Sequence, residues 1–134
     1  MNSYLNLLKN KNVLSWSLYD IADTVYFVGI LGLFFPLWIT KDMGGNDGTV
    51  AFTLSISIAI SLLLSPIIGA MSDNSVKRKY YLCSMTFLCI IALFTLGSFS
   101  LMASLITVSI SVITMYLAGI VYNALLLEVS TKDN

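Results

Sequence analysis

Histidine is absent from this sequence, and only 10% of its 134 residues are charged. Without histidine, neither a Ser-His-Asp triad nor a histidine-ligated metal centre can form. The two cysteines, Cys83 and Cys89, have neither a metal-ligand spacing nor a C-x-x-C spacing, so we interpret them as small apolar side chains. Seven basic residues balance seven acidic ones, so the chain lacks the basic excess of a nucleic-acid binder, whose phosphate contacts need many clustered lysines and arginines. We expect no enzymatic activity, no metal or cofactor and no nucleic-acid partner.

Apolar residues, in contrast, make up 57% of the chain, where soluble domains have about 45–50%. The charges are separated by uncharged runs of 17, 25 and 48 residues, at positions 24–40, 48–72 and 80–127. Crossing the ~30 Å hydrocarbon core takes roughly 20 apolar helical residues. The longest run would extend about 72 Å as one helix. We expect it to fold back between residues 97 and 104, where glycine and serine interrupt the aliphatic pattern.

These runs predict an all-α membrane protein with four transmembrane helices, at about residues 13–40, 49–71, 80–98 and 105–127. Residues 1–12 and 128–134 are the expected terminal segments. Six basic residues, at positions 9, 11, 77, 78, 79 and 132, then lie on the side of both termini, and Lys41 lies on the other. Because lysine and arginine are enriched in cytoplasmic loops, both termini are predicted to be cytoplasmic. We expect a multi-pass protein of the inner membrane, in contact with the lipid bilayer.

Asp20 and Asp23 are acidic residues well inside the first predicted span. A spacing of three places both on one helix face, and charge at membrane depth indicates a functional site by default. Two close carboxylates in a poorly hydrated site favour binding and release of a proton near neutral pH. The alternative is that Asp20, about 10 Å along the axis from the helix start, lies at the hydrated membrane margin and is simply solvated.

Two further spans carry polar residues at helical spacing. In the second span, small residues recur every four positions, at Thr53, Ser57, Ser61, Ser65 and Gly69. This series favours close packing of a neighbouring helix, and lining of a polar pathway is the alternative. In the fourth span, Asn123 is the residue most costly to bury unpaired. We expect Asn123 to face the interior, as a packing residue or as a substrate contact.

The segment between the second and third spans resembles the signature loop of major facilitator superfamily transporters, G-x-x-x-D-R/K-x-G-R-R/K. The residues that match by type are Gly69, Asp73, Lys77 and Arg78, whereas Asn74 and Val76 depart from the pattern. Residues 16–20, 65–70 and 122–126 resemble the vacuole-effluxer-like branch of this superfamily, which is related to the autophagy-linked vacuolar amino-acid effluxer. Asp23 stands where that branch usually has asparagine, and Leu127 where proline is common.

The resemblance implies secondary transport of small solutes, with amino acids as one candidate class, by alternating access. It implies that Tyr19 and Asp20 lie on a cavity-facing helix and take part in substrate binding or proton coupling. It also implies that Asp73 contacts a helix end from the other half of the transporter, while Lys77 and Arg78 form charge-assisted contacts that hold one state closed.

Four helices are fewer than the twelve usual in this superfamily. The leading hypothesis is therefore an amino-terminal portion of a transporter, inactive without the missing helices or other membrane subunits. A second hypothesis is a small four-helix membrane subunit or homo-oligomer without transport activity, in which the small residues of the second span form the contact surface. An intramembrane aspartyl protease is disfavoured because the partner G-x-G-D motif is absent from the sequence.

Overall fold

A computed structural model describes the backbone of residues 11–72, 75–98 and 100–130, and the side chains of residues 14–72, 78–98 and 100–125. These residues are helical apart from short connections. Three helical stretches in this part of the chain are long and apolar enough to cross a membrane: Leu14–Lys41, Asp47–Ser72 and Leu101–Leu125. An all-helical chain with three such stretches indicates a membrane protein. The chain divides into two compact units after Gly44, and each unit is described by itself.

The described part of the first unit is one helical stretch with a change of helix type in its middle. Helix α1 (Lys11–Thr24) continues into a ten-residue π-helical segment (Val25–Phe34), which is followed by α2 (Phe35–Lys41). The amide of Phe35 donates to the carbonyl of Ile30, five residues earlier, as in a π-helix. Pro36 follows in the first turn of α2. Because proline has no amide hydrogen to donate, the π-helical hydrogen bonding ends at this position.

Helix α3 (Asp47–Ser72) is the first helix of the second unit. Its amino-terminal end is capped by the Asn46 side chain, whose oxygen accepts hydrogen bonds from the Thr49 amide at 2.8 Å and the Thr49 hydroxyl at 3.1 Å. Pro66 lies inside α3 and cannot donate to the carbonyl of Leu62. The Ser65 hydroxyl donates to that carbonyl instead, at 3.0 Å, so the proline leaves no unpaired oxygen at this turn.

Helices α4 (Ser75–Phe94) and α5 (Leu101–Ser130) are joined by a turn in which Gly97 has a φ of 87°. The start of α5 differs from the expected turn at 97–104, because Ser104 lies inside the helix, buried, with its amide bonded to the Ser100 carbonyl at 2.9 Å. Serine is favoured at helix starts as well as in turns, so the same residues fit both patterns. Residues 75–79, expected in a loop, are helical and begin α4.

The number of spans is lower in the described residues than the four predicted. Residues 77–79 are all basic and occupy the first turns of α4, which shortens its uncharged part to residues 80–94. That part is shorter than the roughly 20 residues that a hydrocarbon core requires. The described side chains therefore support three spans, and a fourth remains part of the proposal below.

Helix α5 lies between α3 and α4 and contacts both, whereas α3 and α4 have few contacts with each other. Because α5 is central, more of it is buried: half of its membrane-length stretch is buried, compared with 17% for α3. The most deeply buried apolar side chains of α5 are Val108, Val112, Ala118 and Val121. They are small or β-branched, which allows the neighbouring backbones to approach closely.

The small residues of α3 lie in this packed region. Thr53, Ser57 and Ser61 are buried, with exposures of 8%, 0% and 3%. Each hydroxyl donates to the carbonyl four residues earlier in its own helix, at 2.7–2.8 Å. Hydroxyls satisfied in this way need no partner from water or from another helix. The series therefore serves helix packing within the chain and does not line a polar pathway at these three residues.

Candidate functional site

Two acidic residues lie in the last turns of α1, just before the π-helical segment. Asp20 is exposed, Asp23 is half-buried, and neighbouring Tyr19 is half-buried as well. The Thr24 hydroxyl donates to the backbone carbonyl of Asp20 at 2.9 Å, so this threonine supports the helix backbone rather than the carboxylates. The two acidic side chains therefore share one helix face but differ in their access to solvent or lipid.

Asp23 has an oxygen that the surrounding residues do not satisfy. Its Oδ1 atom is buried and makes no hydrogen bond within the part of the chain that the structure describes. A buried carboxylate oxygen without a partner is costly, and the cost falls when a proton or a donor group binds to it. This oxygen can accept a proton, or a hydrogen bond from an ammonium or hydroxyl group of a solute. It is the feature of the site with the clearest chemical capacity.

Arg78 in the first turns of α4 connects all three helices of the second unit. Its Nε donates to the carbonyl of Ser72, the last residue of α3, at 2.8 Å, and its Nη1 donates to the carbonyl of Ala124 in α5 at 3.3 Å. Carbonyls at the end of a helix lack a partner within the helix and attract positive charge. The half-buried guanidinium therefore holds the end of α3 to α5.

The structure shows less about the other three residues that resemble the signature loop. Gly69 is half-buried, and a Cβ atom added at this glycine would meet nothing within 4 Å. The glycine is therefore not required by close packing inside the described chain. Asp73 and the side chain of Lys77 lie outside the described residues.

Asn123 was expected to face the interior, but its side chain is exposed in the described chain. The two residues before it, Val121 and Tyr122, are buried. The polar residues of α5 divide between two faces. Ser111 and Thr114 point into the packed region, and their hydroxyls donate to carbonyls three and four residues earlier, at 2.9–3.0 Å. Asn123 lies on another face, so the contacts between α3, α4 and α5 do not bury it.

A groove of about 770 Å³ lies between α3 and α5, near the start of both helices. Among the residues that the structure describes, its lining is mostly apolar and includes no charged residue. The larger side chains around it are Phe52, Ile56, Met102, Leu105, Ile106 and Ile110. A charged solute would find no counter-charge there, so this groove is a poorer candidate for a solute site than the acidic face of α1.

Two features of the site were not expected from the sequence. The π-helical segment follows directly after the acidic face, and the only local hint was the pair of glycines, Gly29 and Gly32, within it. The partners of Arg78 are backbone carbonyls, which every residue carries. A sequence pattern therefore cannot indicate which carbonyls an arginine will reach.

Comparison with known proteins gives one relative with partial coverage. The chain is similar to an uncharacterized protein of Aquifex aeolicus (strain VF5), with 27% identity over 125 residues. The match covers 89% of this chain and 32% of that protein, so the chain spans about a third of the length of this relative. No family model matches the chain, and no solved structure matches it.

Proposed function

We propose that this chain forms part of a longer secondary transporter of the major facilitator type, which moves small solutes across the inner membrane by alternating access. Amino acids are the first candidate class of solute. The proposal is supported by the membrane-length helices, by the resemblance of the Gly69–Arg78 segment to the signature loop of that superfamily, and by a relative of which this chain covers only about a third. In the proposal, α4 is the third of four spans and both termini are cytoplasmic.

The observation that carries the proposal is the unsatisfied oxygen of Asp23 on a membrane-length helix. A carboxylate at that depth has to be neutralised by a proton or by a cationic group. If the neutralising species differs between two states of the protein, its movement across the membrane is coupled to the change of state. We assign this role to Asp23 together with Asp20, with Tyr19 and Asn123 as further candidate contacts to the solute.

Arg78 has a different role in the proposal. Its hydrogen bonds to Ser72 and Ala124 hold α3, α4 and α5 together as one body. Alternating access requires bodies that move as units, so this contact supplies rigidity rather than solute binding. Asp73 and Lys77, in the same segment, would contact the helices that the present chain lacks.

Proton-coupled flux tests the proposal. The full product of the gene is reconstituted in proteoliposomes with a pH-sensitive dye inside, and amino acids of different charge are added under an imposed pH gradient. We expect solute-dependent proton movement, and we expect D23N and D20N to abolish it while membrane insertion is unchanged. The matched control is D42N, because Asp42 is an exposed carboxylate just after α2. Wild-type flux in D23N would overturn the assigned role.

The length of the natural product is a second test. An amino-terminal tag at the genomic locus should reveal a product close to three times the length of this chain, as the coverage of the relative suggests. A product of 134 residues would favour the alternative, a small membrane subunit or homo-oligomer. That alternative would need a new contact surface, because the three small residues Thr53, Ser57 and Ser61 are buried within the chain itself.

A further inference from the structure

We propose that the π-helical segment Val25–Phe34 is a register switch, whose conversion to an α-helix rotates the face of Asp20 and Asp23 relative to α2. π-helices are rare and mostly occur as single turns, often at functional sites. This segment has ten residues and is continuous with α-helix on both sides. It begins one residue after Thr24, directly beyond the acidic face. Any change of helix type in the segment must therefore move that face.

The buried side chains of this stretch show what favours the π register. Tyr26, Leu31, Phe35 and Ile39 are buried, so their spacing is five across the π-helical segment and four beyond it. In an α-helix, residues five apart differ by ~140° around the axis. With π-type hydrogen bonds and roughly 4.4 residues per turn, the difference falls to about 50°. The π register is therefore what aligns Tyr26 with the buried face.

Two features of the segment allow it to convert from the π-helical to the α-helical register. Gly29 and Gly32 give the segment more backbone freedom than other residues would. A Cβ at position 32 would lie 3.3 Å from the carbonyl oxygen of Phe27, so the π register is better suited to glycine here. Pro36 donates no hydrogen bond in either register. The junction with α2 therefore loses no bond at this position when the segment converts.

The conversion has a definite geometry. The rise per residue is ~2.0 Å in a 3₁₀-helix and ~1.5 Å in an α-helix, and continuing this trend gives roughly 1.2 Å for a π-helix. Ten residues that change from π to α therefore lengthen the helix by about 3 Å and rotate its ends by about half a turn. The acidic face then points to the opposite side of the helix. Its value for coupling rests on the proposed function, whereas the switch itself does not.

Distances between two spin labels, measured by double electron–electron resonance, test the switch. Spin labels are placed at L18C and L37C, two exposed positions on either side of the segment, in the full chain with both native cysteines replaced by serine, in lipid nanodiscs. We expect Y26A to lengthen the mean label separation by about 3 Å, because the π register loses its aligned aromatic side chain. The matched control is L33A in the same segment, since Leu33 is 65% exposed. Equal separations in Y26A and L33A would overturn the switch.

A second variant keeps the test decisive if Y26A does not fold. Eight α-helical residues have nearly the rotation and length of ten π-helical ones, by ~800° against ~820° and about 12 Å in both cases. Deletion of Val28 and Gly29 should therefore give an α-helical span with the wild-type separation. Replacing Gly29 and Gly32 by alanine without deletion should lengthen it by about 3 Å. If both variants give the same separation, the switch is wrong.

The readout also separates this inference from the proposed function. The label separation measures helix length and requires no solute. If Y26A lengthens the label separation but the full product of the gene moves no solute, the switch is supported and the proposed transport function is overturned. If the full product moves solute but none of the variants changes the label separation, the transport function is supported and the switch is overturned.

Discussion

The contact of Arg78 with two helix backbones gives a quantitative prediction. In R78A, the carbonyl of Ser72 loses a charge-assisted hydrogen bond of 2.8 Å and the carbonyl of Ala124 loses a longer one of 3.3 Å. The shorter bond contributes about 1.5–3 kcal/mol and the longer one less. Since Arg78 is only half-buried, we expect a combined loss of about 2 kcal/mol in the free energy of opening α4 away from α5. This corresponds to a roughly 30-fold increase in the population of the open state.

A native cysteine reports this opening. Cys89 lies in α4 and is buried, whereas Cys83 is exposed and is replaced by serine to leave one reactive thiol. When opening is fast and reversible, the rate of thiol modification follows the population of the open state. We therefore expect a small maleimide to modify Cys89 roughly 30 times faster in R78A than in the unchanged protein.

The control removes the same charge from the neighbouring position. Lys79 is exposed and follows Arg78 directly in α4, so K79A should leave the modification rate of Cys89 within about twofold of the reference, as expected for surface substitutions. R78K should behave like R78A, because a lysine ammonium cannot reach two carbonyls with the fork of a guanidinium. Equal rates in R78A and K79A would refute the assignment of Arg78 as the connection between the helices.

Two further predictions concern α3. S57L should destabilise the protein by about 1–3 kcal/mol, because it adds volume at a fully buried position, whereas S55L on an exposed face should have little effect; unfolding by a denaturing detergent measures both. S65A should cost about 0.5–1.5 kcal/mol by leaving the Leu62 carbonyl unpaired. P66A restores an amide donor to that carbonyl, so S65A should cost less in a P66A background, and equal costs in both backgrounds would contradict the compensation.

The acidic face shows how far sequence reasoning reaches. The placement of Asp20 and Asp23 on one helix face follows from their spacing. Their unequal burial does not, because it depends on what lies beside each residue in the folded chain. The spacing of buried residues from Tyr26 to Leu31 was likewise hidden, since a search with a period of 3.6 residues does not detect a π register.

The errors at helix ends have a common cause. Ser104 was expected in a turn and lies inside α5, and residues 75–79 were expected in a loop and are helical. Serine and basic residues are compatible with both states, so local preference does not decide between them. The exposed position of Asn123 has a different cause. Its polarity predicted an interior site, but the contacts of α5 with its neighbours determine which face is covered.

The sequence alone determined that the chain is helical and suited to a membrane, because long uncharged runs can satisfy their backbone in lipid only as helices. It also determined which residues carry unusual chemistry, the two aspartates of α1 and the basic segment at the start of α4. Only the tertiary structure decided that α5 is central, that Arg78 reaches the carbonyls of Ser72 and Ala124, and that Asp23 keeps an oxygen without a partner among the described residues. These features depend on distances between residues far apart in the chain, which no local pattern specifies.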